Sequence, residues 1–222
     1  MRRMVAFILI LCLFCPSVEA KSEKYVALTF DDGPSGRYTQ RLLEGLEVRN
    51  VKATFLLCGY RMKEEPAVAQ AIFDQGHEIG LHGYHHDNMA KMTYQEVARE
   101  ITSTAALLPK GCKPRFLRPP GGAFAENTVS AAQDAGLSLL HWSVDPRDWA
   151  THDAAAVETA VVEGVRDGDV ILLHDMCDCS VDAALAIIDK LQAQGFHFVT
   201  VSQLAAIKGA TLQPGKLYRY FR

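Results

Sequence analysis

The chain has 222 residues, 49% of them hydrophobic, with 23 lysine and arginine side chains against 26 aspartates and glutamates and a formal charge of −3. That length suits one α/β domain with a substantial core. The faintly acidic balance excludes the basic footprint of a nucleic-acid-binding protein.

The chain opens "MRRMVAFILILCLFCPSVEA". Arg2 and Arg3 precede an apolar run from Val5 to Phe14 that is too short to span a bilayer, and Ala20 closes a small-residue segment. This is the pattern of a secretory signal peptide over residues 1–20, which predicts export and no stable membrane insertion after cleavage. Residues 21–222 are then the mature domain. Four cysteines survive that cleavage, Cys58, Cys112, Cys177 and Cys179, and they allow three disulfide pairings among which spacing does not choose.

Strand-length apolar runs follow in order: "YVALTF", "KATFLLC", "HEIGLH", "RFLRPP", "LSLLHWSV", "DVILLHD" and "FHFVTV". Between them lie helical patterns. Leu42, Leu43 and Leu46 predict a helix that stops at Asn50. Thr93 and Glu96 form a capping box ahead of Val97, Ile101, Thr104 and Leu108. Val157, Ala160, Val161 and Val165 make a further helical stripe. Ser180 is placed to cap a helix bearing Val181, Ala184, Leu185, Ile188 and Leu191, ended near Gly195. Alternating strands and helices predict parallel strands joined by right-handed crossovers, either as an open doubly wound sheet or closed into a barrel. In the tail "LQPGKLYRYFR", Tyr218, Tyr220 and Phe221 are expected to pack on the domain.

Both architectures place function at the carboxyl ends of the strands. There the chain puts Asp31-Asp32-Gly33-Pro34, His82, Arg118-Pro119-Pro120, Asp145, Asp148-Trp149 and His174-Asp175. Singly these have structural explanations; Asp-Gly-Pro is a good turn, for instance. Two adjacent carboxylates, however, call for a cation nearby. Two histidines and an aspartate make a three-ligand metal set with an open position, which leaves a second aspartate for base catalysis and a separate histidine for acid catalysis. In "EIGLHGYHHDNM", both His82/His86 and His82/His85 are spaced to share a face. His141 and His197 are read as satisfied core residues. Cys177 and Cys179 resemble a soft-metal pair, but no second cysteine or histidine pair is spaced to complete it. They are expected to shape or cross-link the loop after their strand.

Taken together and in order, these motifs resemble the polysaccharide deacetylases of carbohydrate esterase family four, the NodB-like domain, from about Lys24 to Ala206. The resemblance implies a distorted, seven-stranded (β/α) barrel and a hydrolase acting on carbon–nitrogen bonds other than peptide bonds. Its activity would be metal-dependent removal of acetyl groups from an N-acetylhexosamine glycan such as peptidoglycan, a chitin oligomer or an exopolysaccharide. It implies Asp32, His82 and His86 as ligands of one divalent metal ion, zinc first, with cobalt, nickel or manganese as alternatives. It also implies Asp31 as general base and His174 as general acid. Arg118 would tune Asp31, and Asp148 would contact that arginine. Gly121, where a tyrosine is frequent, would offer its N–H to the oxyanion. Trp149 and Leu172 would line the acetyl pocket. Gly83 replaces a serine or threonine that commonly steadies the metal-binding loop, and His85 becomes a loop residue. The alternatives are an O-acetyl sugar esterase with the same site and a catalytically silent carbohydrate-binding module. The expected form is a secreted or cell-envelope monomer.

Overall fold

The computed structural model describes residues 23–222, so the signal-peptide expectation for residues 1–20 lies outside the described residues. In chain order the elements are β1 (Lys24–Asp31), α1 (Gly36–Val48), β2 (Thr54–Leu57), α2 (Gly59–Glu64), α3 (Pro66–Asp74), β3 (Glu78–Leu81), α4 (Tyr94–Ala105), β4 (Phe116–Leu117) and α5 (Glu126–Asp134). Then come β5 (Ser138–Leu140), α6 (Asp148–Thr151), α7 (Ala154–Gly164), β6 (Val170–His174), α8 (Asp178–Ala193), β7 (Phe196–Phe198), α9 (Val201–Ile207) and β8 (Leu217–Tyr218). No helix among the described residues is long and apolar enough to cross a membrane.

The strands pair in parallel in the order β6-β1-β2-β3-β4-β5-β8, and β7 pairs with the start of β1. Single bridges bring the two edges of this curled sheet together: Val144 pairs with Ile171 of β6, and Tyr220 with Asp169 just before it. The result is the expected distorted seven-stranded barrel with one strand assigned differently. The run "FHFVTV" yields β7, which hangs on β1, whereas β8 comes from the tail. Tyr218 and Phe221 bury there with rings 5.4 Å apart, but Tyr220 is exposed, contrary to expectation.

β1 runs apolar on both faces because helices cover the outside of the barrel, and Val26 through Phe30 are all buried. The main core lies between the sheet and α1, α3, α7 and α8, where Leu42, Leu46, Ile72, Val161, Ile187 and Ile188 meet Phe30 and Phe55. A smaller one under α4 and α5 joins Val97, Ile101 and Ala131 to Leu81, Leu117 and Leu139.

The Thr93–Glu96 capping box forms, and α1 gives way to a left-handed Asn50 (φ 51°). The cap of α8 differs: Cys177 is the N-cap and accepts from the Ser180 N–H, so Ser180 lies inside the first turn. The stripe on α7 is narrower than predicted, with Val157 and Val161 buried and Ala160 exposed. His197 lies exposed on β7 with its ring 5.2 Å from that of Tyr25, so it is no core residue. His141 is buried between Trp142 and Phe124, yet its Nε2 has no partner among the described residues. Its ring is therefore packed without being satisfied.

Candidate active site

β1 delivers Asp31 to the carboxyl rim of the barrel, in register with His174 of β6 on one side and Leu56 of β2 on the other. The next residue, Asp32, turns out of the strand in a left-handed conformation (φ 71°). β3 ends at Leu81, His82 follows it directly, and the chain reverses through Gly83 (φ 77°) before His86. Asp32 Oδ1 then lies 3.2 Å from His82 Nε2 and 3.1 Å from His86 Nε2.

Despite those distances, Asp32 Oδ1 is buried and makes no well-aligned hydrogen bond. The three atoms approach as ligands approach a common point. Zinc bonds of about 2.0–2.1 Å give tetrahedral ligand–ligand edges of about 3.3 Å, close to these separations. His82 Nδ1 sits 2.7 Å from the Arg118 carbonyl, so it donates there and turns the Nε2 lone pair toward Asp32. Burial pushes the Asp32 carboxyl up, but the proximity and charge of His82 and His86 outweigh it and hold the carboxyl well below the usual range. Asp32 in turn raises His86. Two imidazoles facing one carboxylate favour positive charge between them, and the donor set therefore fits a divalent ion.

His85 faces away from this trio. Its Nδ1 is 2.9 Å from Glu100 Oε1, while Glu100 Oε2 accepts the Tyr84 N–H at 2.5 Å and the His85 N–H at 3.1 Å. Glu100 thus holds the loop in which Gly83 lacks a hydroxyl. A Cβ on Gly83 would meet Met89 Cε at 3.0 Å and Glu100 Oε2 at 3.2 Å, in a backbone conformation that side chains rarely adopt. Sequence reasoning missed Glu100, although a signal was present: it lies three residues after Val97 and four before Thr104, an acid on the apolar face of α4.

Arg118 is fully buried inside the barrel. Its Nη1 donates to Asp31 Oδ1 at 2.6 Å and Thr29 Oγ1 at 2.9 Å, its Nη2 to the His141 carbonyl at 2.8 Å, and its Nε to the Leu140 carbonyl at 3.4 Å. Asp148 is not among these partners, which corrects the expected Asp148–Arg118 contact. Opening the short α6 below the end of β6, Asp148 instead accepts from the His174 backbone N–H at 2.8 Å and from His174 Nδ1 at 2.9 Å. Burial pushes the His174 imidazole down, but the hydrogen bond and charge of Asp148, reinforced by Asp31 and Asp32, raise it to about 9. His174 is therefore a cation at neutral pH.

Behind it, burial pushes the Asp175 carboxyl up to about 6. Its Oδ2 accepts from the Thr39 hydroxyl, and a Cβ on Gly33 would fall 2.7 Å from its Oδ1, so Gly33 is required for close approach.

Asp31, Asp32, His82, His86, Gly121, Leu172, Trp149 and His174 face one cavity of about 380 Å³ together with Trp142 and Asp145. Arg118 and Asp148 stand behind Asp31 and His174 and do not line it. A wider groove of about 600 Å³ opens beyond His85, between Lys91, Glu96 and Arg99, and contains none of the metal donors.

The family model for polysaccharide deacetylases matches residues 19–140. The chain is 37% identical over 202 residues to the peptidoglycan-N-acetylglucosamine deacetylase PgdA of Listeria monocytogenes, covering 90% of this chain and 42% of that protein. It is 36% identical to a peptidoglycan-N-acetylglucosamine deacetylase of Bacillus cereus, covering 84% and 91%. The chain belongs to the polysaccharide deacetylase family.

Among solved structures of this family, an acetyl xylan esterase of Clostridium thermocellum in complex with a cobalt ion superposes with a TM-score of 0.82 at 34% identity, over 89% of this chain and 98% of that one. The family is metal-dependent. Its model match stops before Asp148, Trp149, Leu172 and His174, so these enter the site through the fold seen here. Trp142 was missed because it follows β5 inside a run that reads as continuous core.

Proposed function

We propose that this chain hydrolyses N-acetyl groups from an N-acetylhexosamine glycan with the help of one divalent ion, zinc first, held by Asp32, His82 and His86. What carries the reading is one cavity flanked by three unlike units: the Asp32–His82–His86 trio, the Asp31–Arg118 pair and the His174–Asp148 pair. A silent carbohydrate-binding module has no use for all three.

An amide has a weak electrophile and a poor leaving group. The ion, when bound, supplies Lewis acidity and lowers the pKa of water to about 7. Asp31 takes the proton of the attacking water, and the guanidinium of Arg118, donating to Asp31 Oδ1 at 2.6 Å, holds that carboxylate in position. His174 holds its Nδ1 proton on Asp148 and donates the Nε2 proton to the departing amine nitrogen. The backbone N–H of Gly121 stabilises the oxyanion. Leu172 and Trp149 receive the acetyl methyl and crowd out longer acyl chains.

Residues 21–222 constitute the deacetylase domain, exported by residues 1–20 to the cell envelope or beyond, and the form is a monomer. The chain spans 42% of the length of the Listeria relative, so the glycan is assigned from the chemistry of the site. The test is acetate and free-amine release from defined N-acetylated oligomers and from peptidoglycan, after chelation and after restoring single metals. Acetate and amine in equal amounts, lost in Asp31→Asn, are expected. Acetate without amine assigns an O-acetyl esterase. No activity with any metal on any substrate overturns the reading.

A further inference from the structure

The loop after β6 carries a second cluster of donors outside the cavity. Cys177 and Cys179 are disulfide-bonded at the start of α8. His152, in a left-handed conformation (φ 50°) at the end of α6, brings its Nδ1 to 3.8 Å from Cys179 Sγ. The two sulfurs and the imidazole nitrogen lie within 4.8 Å of one another.

We propose that with this disulfide reduced, His152, Cys177 and Cys179 form a second metal site, separate from Asp32, His82 and His86, that takes a thiophilic divalent cation of the zinc or cadmium class. Two thiolates and one imidazole are a soft three-ligand set with an open fourth position. The location favours the thiolate: Cys177 caps the 16-residue helix α8, and the Ser180 N–H donates to its Sγ at 3.3 Å. Asp178, between the cysteines, is engaged by Arg37 and Arg41 at 3.4 and 3.3 Å and so leaves the sulfurs unobstructed. His152 is 25 residues away in sequence and reaches the pair only because α6 and α8 pack together at the end of β6.

A trialkylphosphine and water open the pair: the S–S bond breaks, two S–H bonds form, and phosphorus is oxidised to the phosphine oxide with oxygen from water. Cation binding then releases the thiol protons.

The test titrates Cd2+ into the full chain, reduced with phosphine under anaerobic conditions, and follows the ultraviolet thiolate-to-metal charge-transfer absorption. That signal is blind to the carboxylate and imidazole donors of the cavity. Reduced protein should develop the band to a plateau of one thiolate-bound ion per chain, beyond any Cd2+ taken silently by the cavity, and oxidised protein should develop none. Cys179→Ser should abolish it. His152→Ala, at an exposed position, should weaken binding by about tenfold or more, roughly 1.4 kcal/mol. A band that persists in Cys179→Ser protein, an affinity unchanged in His152→Ala, or no band in reduced wild-type protein overturns the assignment.

Discussion

Asp148→Asn tests the arrangement around His174 most directly. The substitution keeps the shape of the buried side chain and an acceptor for the His174 backbone N–H, but removes the charge from the contact at Nδ1. A rise from 6.5 to about 9 favours the imidazolium by roughly 3 kcal/mol. Burial, which presses the other way, persists in the variant, so its imidazole should titrate at or below the ordinary value. At about pH 8 a group at 9 is mostly protonated, whereas one at 6.5 is about 3% protonated, a roughly 30-fold loss of acid catalyst. A divalent ion on Asp32 offsets the share contributed by the two aspartates. It lowers both proteins alike and leaves the Asp148 difference standing.

The assay is kcat against pH for the metal-saturated enzymes, with the His174 ring followed by NMR titration. The basic limb of the variant should move at least one unit toward acid. Activity that falls equally at every pH, with that limb in place, would refute the assignment of His174 as an acid tuned by Asp148. Stability is linked in the same direction. A histidine raised by folding stabilises fully below its unfolded value near 6.5 and loses that contribution as pH rises through about 9. The metal-free parent should therefore lose stability over this window, and the variant should lose less.

Other substitutions separate the remaining units of the site. His86→Ala should lose the bound metal and His85→Ala should keep it, as read by metal content after dialysis; equal loss from both would break the ligand assignment. Arg118→Met should cost about 3–5 kcal/mol in denaturant unfolding, because it leaves the buried Asp31 carboxylate unpaired. A loss below about 1 kcal/mol would show that Asp31 does not depend on the guanidinium. Glu100→Ala unpairs the Tyr84 and His85 amides, at roughly 1–3 kcal/mol, and should weaken metal binding without touching a ligand. Unchanged metal affinity would separate Glu100 from the loop.

The order of elements was readable because burial repeats locally. β1 to β6 announce themselves by continuous apolar runs and helices α1, α4, α7 and α8 by stripes of period 3.6, and parallel pairing follows from their alternation. Short elements such as α2 and α6 carry too few residues to show a period. The reactive side chains stood out because each follows an apolar run, yet spacing alone left two histidine pairs open in "EIGLHGYHHDNM", and the order of the other motifs was needed to choose.

What the sequence determined by itself is the order of the main elements and which reactive residues sit at strand ends, since both are written in neighbouring positions. What only the tertiary structure decided is who meets whom across the barrel: Asp148 with His174 instead of Arg118, Glu100 with the metal-binding loop, the tail as β8, and His152 beside Cys179. These partners lie 15 or more residues apart or belong to different crossovers. Their meeting depends on strand register and helix packing, and no local pattern encodes either one.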